Sequence, residues 1–222
     1  MADIKIVDLF DLSHSVAADY LKGFTYPWEA LAGISDLILE LGSKLDLSEY
    51  DHPEEDVWIH KSVTVFKTAY IHGPCIIGAG TEVRQCAFIR GSALVGENCV
   101  IGNSTELKNV IIFDNVQVPH YNYVGDSILG FKSHMGAGSV TSNVKSDKLP
   151  VVINNEGEKI ETGRKKIGAM LGDFVEVGCN SVLNPGTIVG RNSNIYPTSC
   201  VRGVVPEGHI YKDKENIVCK KA

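Results

Sequence analysis

The chain has no excess of positive charge: 21 Lys and Arg stand against 27 Asp and Glu in 222 residues, a formal charge of -6. Nothing in that balance suits nucleic acid or an anionic membrane as a partner, although local basic clusters still suit a small anion. No apolar run approaches the roughly 18 residues of a membrane span, and no N-terminal stretch has the pattern of a secretory signal. The six cysteines include no C-x-x-C pair, so neither a zinc site nor a disulfide framework is expected. Buried or incidental free thiols in a reducing cytoplasm are. Beyond residue 56 the helical period of 3.6 is missing as well, which excludes an all-helical body.

What replaces it is a period of six. From residue 59, every sixth position is apolar: Ile59, Val65, Ile71, Ile77, Val83, Ile89, Val95, Ile101, Leu107 and Phe113. At 44% hydrophobic residues, one fixed phase does this by chance about once in a few thousand trials, so it is a repeat. Four residues after each comes a smaller series that includes Ala69, Cys75, Thr81, Ala87, Ala93 and Cys99. A six-residue period fits a chain that turns a corner every six residues and points one large side chain inward from each side. The expected fold is an all-β solenoid, a parallel β-helix of hexapeptide repeats.

Around this body the sequence predicts three smaller parts. Residues 1–56 change to a helical stripe, Trp28, Leu31, Ile34, Leu37, Ile38 and Leu41 after Pro27, and read as a helical cap over the open end of the coil. The solenoid covers residues 57–206. Within it the phase fails between Pro119 and Ile128, which reads as a loop inserted into the coil and holding His120, Tyr123 and Asp126. A second break, residues 144–166, has a strand-turn-strand pattern around Asn154-Asn155-Glu156-Gly157 and reads as a protruding hairpin arm. It ends in Arg164-Lys165-Lys166, either a solvated turn or a contact for a phosphate. The tail, residues 207–222, is polar and reads as peripheral.

Arg90 and Lys108 each follow an inward residue and lie three hexads apart. On a three-sided coil they stack on adjacent turns, about 4.8 Å apart, and two cations so placed suit an anion. His72 lies on the same ladder one turn earlier. Around them the resemblance becomes specific. Val118-Pro-His-Tyr-Asn-Tyr-Val-Gly-Asp126 is similar to an H-x-x-Y-x-G-D segment, and Met135-Gly-Ala-Gly-Ser-Val-Thr-Ser-Asn143 to an I-G-A-G-T-x-T-x-N segment. Both belong to the hexapeptide-repeat acyltransferases. In particular, residues 84–143 resemble the acetyltransferase domain of the bifunctional bacterial enzyme that joins glucosamine-1-phosphate acetyltransferase to a uridylyltransferase.

The resemblance implies a left-handed coil, a homotrimer with sites between subunits, and acetyl-CoA as acyl donor, with no metal. It implies that Arg90 and Lys108 hold a sugar phosphate, that Tyr123 and Asn143 contact the sugar, and that His120 takes a proton from the sugar amine. A histidine, with an ordinary pKa near 6.5, suits that task. His134 stands where the family has an Asn of the substrate site, and Val144-Lys145 where it has Tyr-Asp. No segment resembles the uridylyltransferase half with its Gly-rich nucleotide loop, so activation of the sugar with UTP is not expected. Three readings follow. The first is an acyltransferase of a phosphorylated amino sugar or a nucleotide-sugar relative. The second is a non-catalytic binder of sugar phosphates or nucleotide sugars. The third is a metal enzyme built on convergent histidines from among His60, His72, His120 and His134.

Overall fold

A computed structural model describes residues 2–221. Short strands stack in parallel into three faces of a solenoid. Face A takes Val57–His60, Cys75–Ile77, Ala93–Val95, the second halves of Glu106–Ile112 and Tyr123–Leu129, then Ala169–Leu171, Thr187–Val189 and Val204–Val205. Face B takes Thr64–Val65, Glu82–Val83, Val100–Asn103, Gln117–His120, His134–Met135, Glu176–Val177, Asn194–Ile195 and His209–Asp213. Face C takes Tyr70–Ile71, Phe88–Ile89, the first halves of Glu106–Ile112 and Tyr123–Leu129, then Val140–Thr141, Val182–Leu183 and Cys200–Val201. Many corners are made by a single residue at positive φ, such as Asn98, Ser104, Asn115 and Asn180. One left-handed residue turns the chain onto the next face without a longer loop, and Asn enters that region more readily than most residues.

The periodic residues from Ile77 to Leu107 do form the interior, each about 1% exposed or less. The phase then slips. Val95 pairs with Ile112, one residue short of three hexads, and Ile112 with Leu129, short again. The cause is the corner between faces C and A. Two long strands continue through it without a break, bending at Asn109 (φ 54°) and Asp126 (φ 49°). Phe113 therefore sits at a corner instead of on the ladder, buried against Phe10 with ring centroids 5.2 Å apart. Residues 119–128 are likewise no inserted loop. Val118 pairs with Ile101, His120 with Asn103 and Tyr123 with Glu106, all within the coil.

The N-terminal segment does not cap the open end. It lies along face A: the helix Ile34–Gly42 packs on the strands Cys75–Ile77 and Ala93–Val95, Asn109 Nδ2 donates to Leu31 O, and Asp173 N donates to Leu9 O. Asp173, fully buried, takes Asp11 N and Phe131 N on its carboxylate and pairs with Arg191 at 2.6 Å, clamping this segment to the coil. The reason is written on face A, whose strands bury both surfaces. Ile76, Leu94, Ile111, Ile128, Met170 and Ile188 point away from the coil interior, and each is at most 3% exposed. Covering such a surface stabilises the fold by about 25 cal/mol per Å² of apolar area removed from water.

The hairpin Val152–Asn155 with Glu158–Glu161 forms as expected but does not protrude. Val151, Ile153 and Asn155 are buried, the strand Val152–Asn155 contacts Val204–Val205, and Asn155 exchanges hydrogen bonds with the Ala2 backbone. It extends the cover of face A where the N-terminal segment stops. The tail is not peripheral either. His209–Asp213 adds a last strand to face B and turns back antiparallel through Asn216–Cys219, burying Tyr211. At the other end the first coil keeps Ile59, Val65 and Ile71 part-exposed around a cavity of about 530 Å³.

Candidate active site on face C

Ile89 pairs with Leu107, and the Arg90 amide donates to Leu107 O. Arg90 and Lys108 are therefore neighbours on adjacent coils, at the border of face C with face A. His72 holds the same place one coil earlier. Contrary to the expectation from charge alone, neither cation stands free. Arg90 Nη1 lies 2.6 Å from Glu106 Oε1, and Lys108 Nζ lies 3.6 Å from Asp126 Oδ2. The four groups sum to zero formal charge.

Asp126 is the buried centre of this border, its side chain 4% exposed. A carboxylate so enclosed needs donors on its oxygens. Asn109 Nδ2 donates to Oδ1 at 2.9 Å and Asn143 Nδ2 to Oδ2 at 2.5 Å. Asn143 Nδ2 also lies 3.1 Å from the Tyr123 hydroxyl. Lys108, Tyr123, Asp126 and Asn143, from three successive coils, thus form one connected cluster. Burial, followed by the nearby Asp126 and Glu106 carboxylates, pushes the Tyr123 phenol above its ordinary value. It remains a protonated donor at neutral pH.

His120 stands at the other border of face C, where the strand Gln117–His120 leaves face B. Its Nδ1 lies 2.8 Å from Asn103 Oδ1. An amide oxygen only accepts, so Nδ1 carries the proton and the Nε2 lone pair is left as the acceptor. The turn behind it is fixed by Asn122, buried, which takes the His120 amide on Oδ1 and donates to Gly136 O and Ser139 O. At about 3.3 Å per residue, the two borders of face C are about 15 Å apart between backbones. Tyr123 lies between them, and the long Arg90 and Lys108 side chains shorten the gap.

His134 is not part of this cluster. It lies on face B, with Nδ1 2.7 Å from Glu176 Oε2, so the structure separates it from Arg90, Lys108, Tyr123 and Asn143 within one chain. It lines a groove of about 630 Å³ that runs along face B past Glu176, Tyr196 and Ile210 to Lys220 and Lys221. Glycines floor the groove. A Cβ on Gly136 would come within 2.7 Å of Cys179 N, and one on Gly178 would meet the Pro197 backbone. Gly138 N donates to His120 O at 2.9 Å, so the head of the groove is one coil from His120. A smaller groove, about 320 Å³, is lined by Lys145, Lys159 and Arg202 at the root of the hairpin. Arg164-Lys165-Lys166 does not line it; Lys166 is instead bridged to Val144. Among the described residues no three His, Cys, Asp or Glu side chains gather as a metal site, and no helix is long and apolar enough to cross a membrane.

Sequence reasoning missed Glu106, Asn103 and Asn109. Glu106 had a signal, since it lies two residues before Lys108 and shares its side of a strand. Asn109 acts through corner geometry that the repeat does not reveal, and Asn103 is set beside His120 by a ladder register one residue short of three hexads.

Residues 71–205 match the GMPPB C-terminal domain. The chain belongs to that family. It is also 31% identical over 220 residues to the bifunctional protein GlmU of Methanococcus maripaludis strain C5, covering 98% of this chain and 53% of that protein. A bifunctional sugar-1-phosphate nucleotidylyltransferase/acetyltransferase of Sulfurisphaera tokodaii is 34% identical over 126 residues, 57% of this chain and 31% of that one. The chain thus spans about half the length, or less, of these curated relatives. Among solved structures, a hexapeptide transferase family protein from Anaplasma phagocytophilum aligns over 75% of this chain and 80% of its own, at 13% identity and a TM-score of 0.41.

Proposed function

We propose that this chain is an acyl-CoA-dependent N-acyltransferase, with acetyl-CoA as donor and a phosphorylated amino sugar, such as glucosamine-1-phosphate, as acceptor. The observation that carries this reading is the layout of face C: a histidine with a free Nε2 at one border, two cations at the other, and Tyr123 with Asn143 between. The sugar phosphate, a dianion near neutral pH, is bound by Arg90 and Lys108. Tyr123 and Asn143 orient the sugar ring. His120 Nε2 takes the proton from the 2-amino group as it attacks the thioester carbonyl, and the coenzyme leaves as the thiol. The bifunctional relatives, one of which carries acetyltransferase in its name, support the reaction class.

The glycine-floored groove on face B fits the donor. Its head, at His134 and Gly136, lies one coil from His120, and Lys220 and Lys221 at its far end suit the phosphates of coenzyme A. In the homotrimer that the resemblance implies, His134 serves a neighbouring copy's face C, which accounts for its separation from the cluster within one chain.

The test is release of free CoA from acetyl-CoA in the presence of glucosamine-1-phosphate, comparing wild type with His120→Ala. Turnover in wild type and a loss of at least about 100-fold in the variant is the expected result. Turnover retained in the variant removes His120 from the chemistry. No turnover in either protein favours a binding role, which titration with sugar phosphates would then detect.

A further inference from the structure

Arg90, the residue nearest the edge of the phosphate site, already holds an anion. Its guanidinium is 2.6 Å from Glu106 and lies over the Phe88 ring, 5.9 Å from guanidinium carbon to centroid. Glu106 is on the same strand as Lys108 and pairs in register with Phe88 on one side and Tyr123 on the other. Its carboxylate therefore sits in the middle row of face C, between the cations and the residue that would orient the sugar. The pair is also accessible: the Arg90 side chain is 44% exposed and that of Glu106 31%. The second pair differs. Asp126 is enclosed and committed to Asn109 and Asn143, so it has no freedom to leave Lys108.

From this contrast we infer that Glu106 is an exchangeable counter-ion that makes the site selective for zwitterionic acceptors, those carrying both a phosphate and an ammonium. The inference rests on the sugar-phosphate reading above. A phosphate arriving at Arg90 competes with Glu106 for the guanidinium. A ligand with only a phosphate then leaves the released carboxylate facing a dianion. A ligand with an ammonium as well gives that carboxylate a new partner, and the charges balance again. The ammonium is thus recognised on arrival by Glu106; it gives its extra proton to solvent to become the nucleophilic amine, and the proton lost as that amine attacks goes to His120. Asp126 performs the opposite task, a fixed charge that keeps Lys108 in place whatever is bound.

Isothermal titration of glucosamine-1-phosphate and glucose-1-phosphate into wild type and Glu106→Gln tests this directly, because the two ligands differ only at the amine. Wild type binds the amino sugar the more tightly. In Glu106→Gln, glucose-1-phosphate binds about three- to fivefold tighter, the range expected when an exposed ion partner is removed. Glucosamine-1-phosphate gains less or weakens, and the preference for it shrinks. In an Arg90→Gln background the same Glu106 change no longer tightens glucose-1-phosphate, which assigns the effect to this pair. An unchanged preference in Glu106→Gln overturns the inference and leaves the phosphate site standing. Failure of both ligands to bind either protein overturns the phosphate site itself, and the inference with it. Because the pair is exposed, the variant keeps the wild-type melting temperature, and a lower one would assign Glu106 a structural role instead.

Discussion

On face A the outward positions run Trp58, Ile76, Leu94, Ile111, Ile128, Met170 and Ile188, and all are buried. At the equivalent positions of face C stand Tyr70, Phe88, Glu106, Tyr123, Val140 and Val182, exposed or half-buried. The interior rows of the two faces are alike, a branched apolar residue at each turn except for the buried Thr141 on face C. The hexapeptide repeat thus builds the coil without deciding what any face is for; the residue one place before the inward one decides that. An apolar residue there demands cover, which the N-terminal segment and the hairpin supply. On face C, where most of these places hold polar or aromatic residues and no described segment covers them, the row stays open.

The largest effect should come from truncating a residue sealed on both sides. Leu94→Ala, on face A beneath the helix Ile34–Gly42, is expected to cost about 2–5 kcal/mol through lost burial and the cavity left behind. Phe88→Ala, one hexad earlier on face C and 40% exposed, is expected to cost less than about 1 kcal/mol. Urea unfolding followed by circular dichroism measures both. Equal losses would mean that face A is not the sealed side, and the comparison would fail.

A smaller effect should follow from disturbing the cover instead of the coil. Gly42 ends the helix over face A, and a Cβ there would come 2.5 Å from the Trp58 ring. Gly42→Ala must push the helix or the indole aside, at a cost of about 1–3 kcal/mol. The indole, 7% exposed in the native chain, would move toward water, so a red-shifted tryptophan emission should accompany the loss. Loss of stability with unchanged emission would place the strain elsewhere.

Much of this was legible in the sequence, and the division follows the physics. The coil was legible because every inward position is tested by the same close packing, so Ile77 to Leu107 repeat without exception. The stacking of Arg90 on Lys108 followed from that arithmetic. The phase slip at Asn109 was not legible: strands that run through a corner drop one residue, and Phe113 still supplies an apolar side chain at the counted position. The apparent loop around His120 came from the same slip. Placing the N-terminal segment over the coil end overlooked the doublets Ile76-Ile77, Leu94-Val95, Ile111-Ile112 and Ile128-Leu129. They recur once per turn and mark the face that needs cover. In the site, charge counting found the two cations but not their partners, because Glu106 and Asp126 are assigned by register and burial and not by spacing alone.

The smallest effect concerns the thiols, and it separates interior from surface with one reagent. Burial pushes the thiols of Cys75, on face A, and Cys99, at a corner, up to about 12. Cys86, Cys179, Cys200 and Cys219 are exposed. At pH 8 a disulfide reagent should therefore label four thiols quickly and the remaining two only as fast as the chain opens, because the thiolate is the reactive form. The same shift ties stability to pH. Above about 9 the two thiols ionise in the unfolded chain but stay protonated in the folded one, so the unfolded state binds fewer protons and stability falls as pH rises toward 12. Each thiol contributes up to about 1.4 kcal/mol per pH unit in that window. The Cys75→Ala/Cys99→Ala variant should flatten the decline of the urea midpoint between pH 8 and 10. If Cys75 instead reacts as quickly as Cys86, face A opens far more readily than its burial implies, and the contrast with face C would have to be redrawn as one of dynamics.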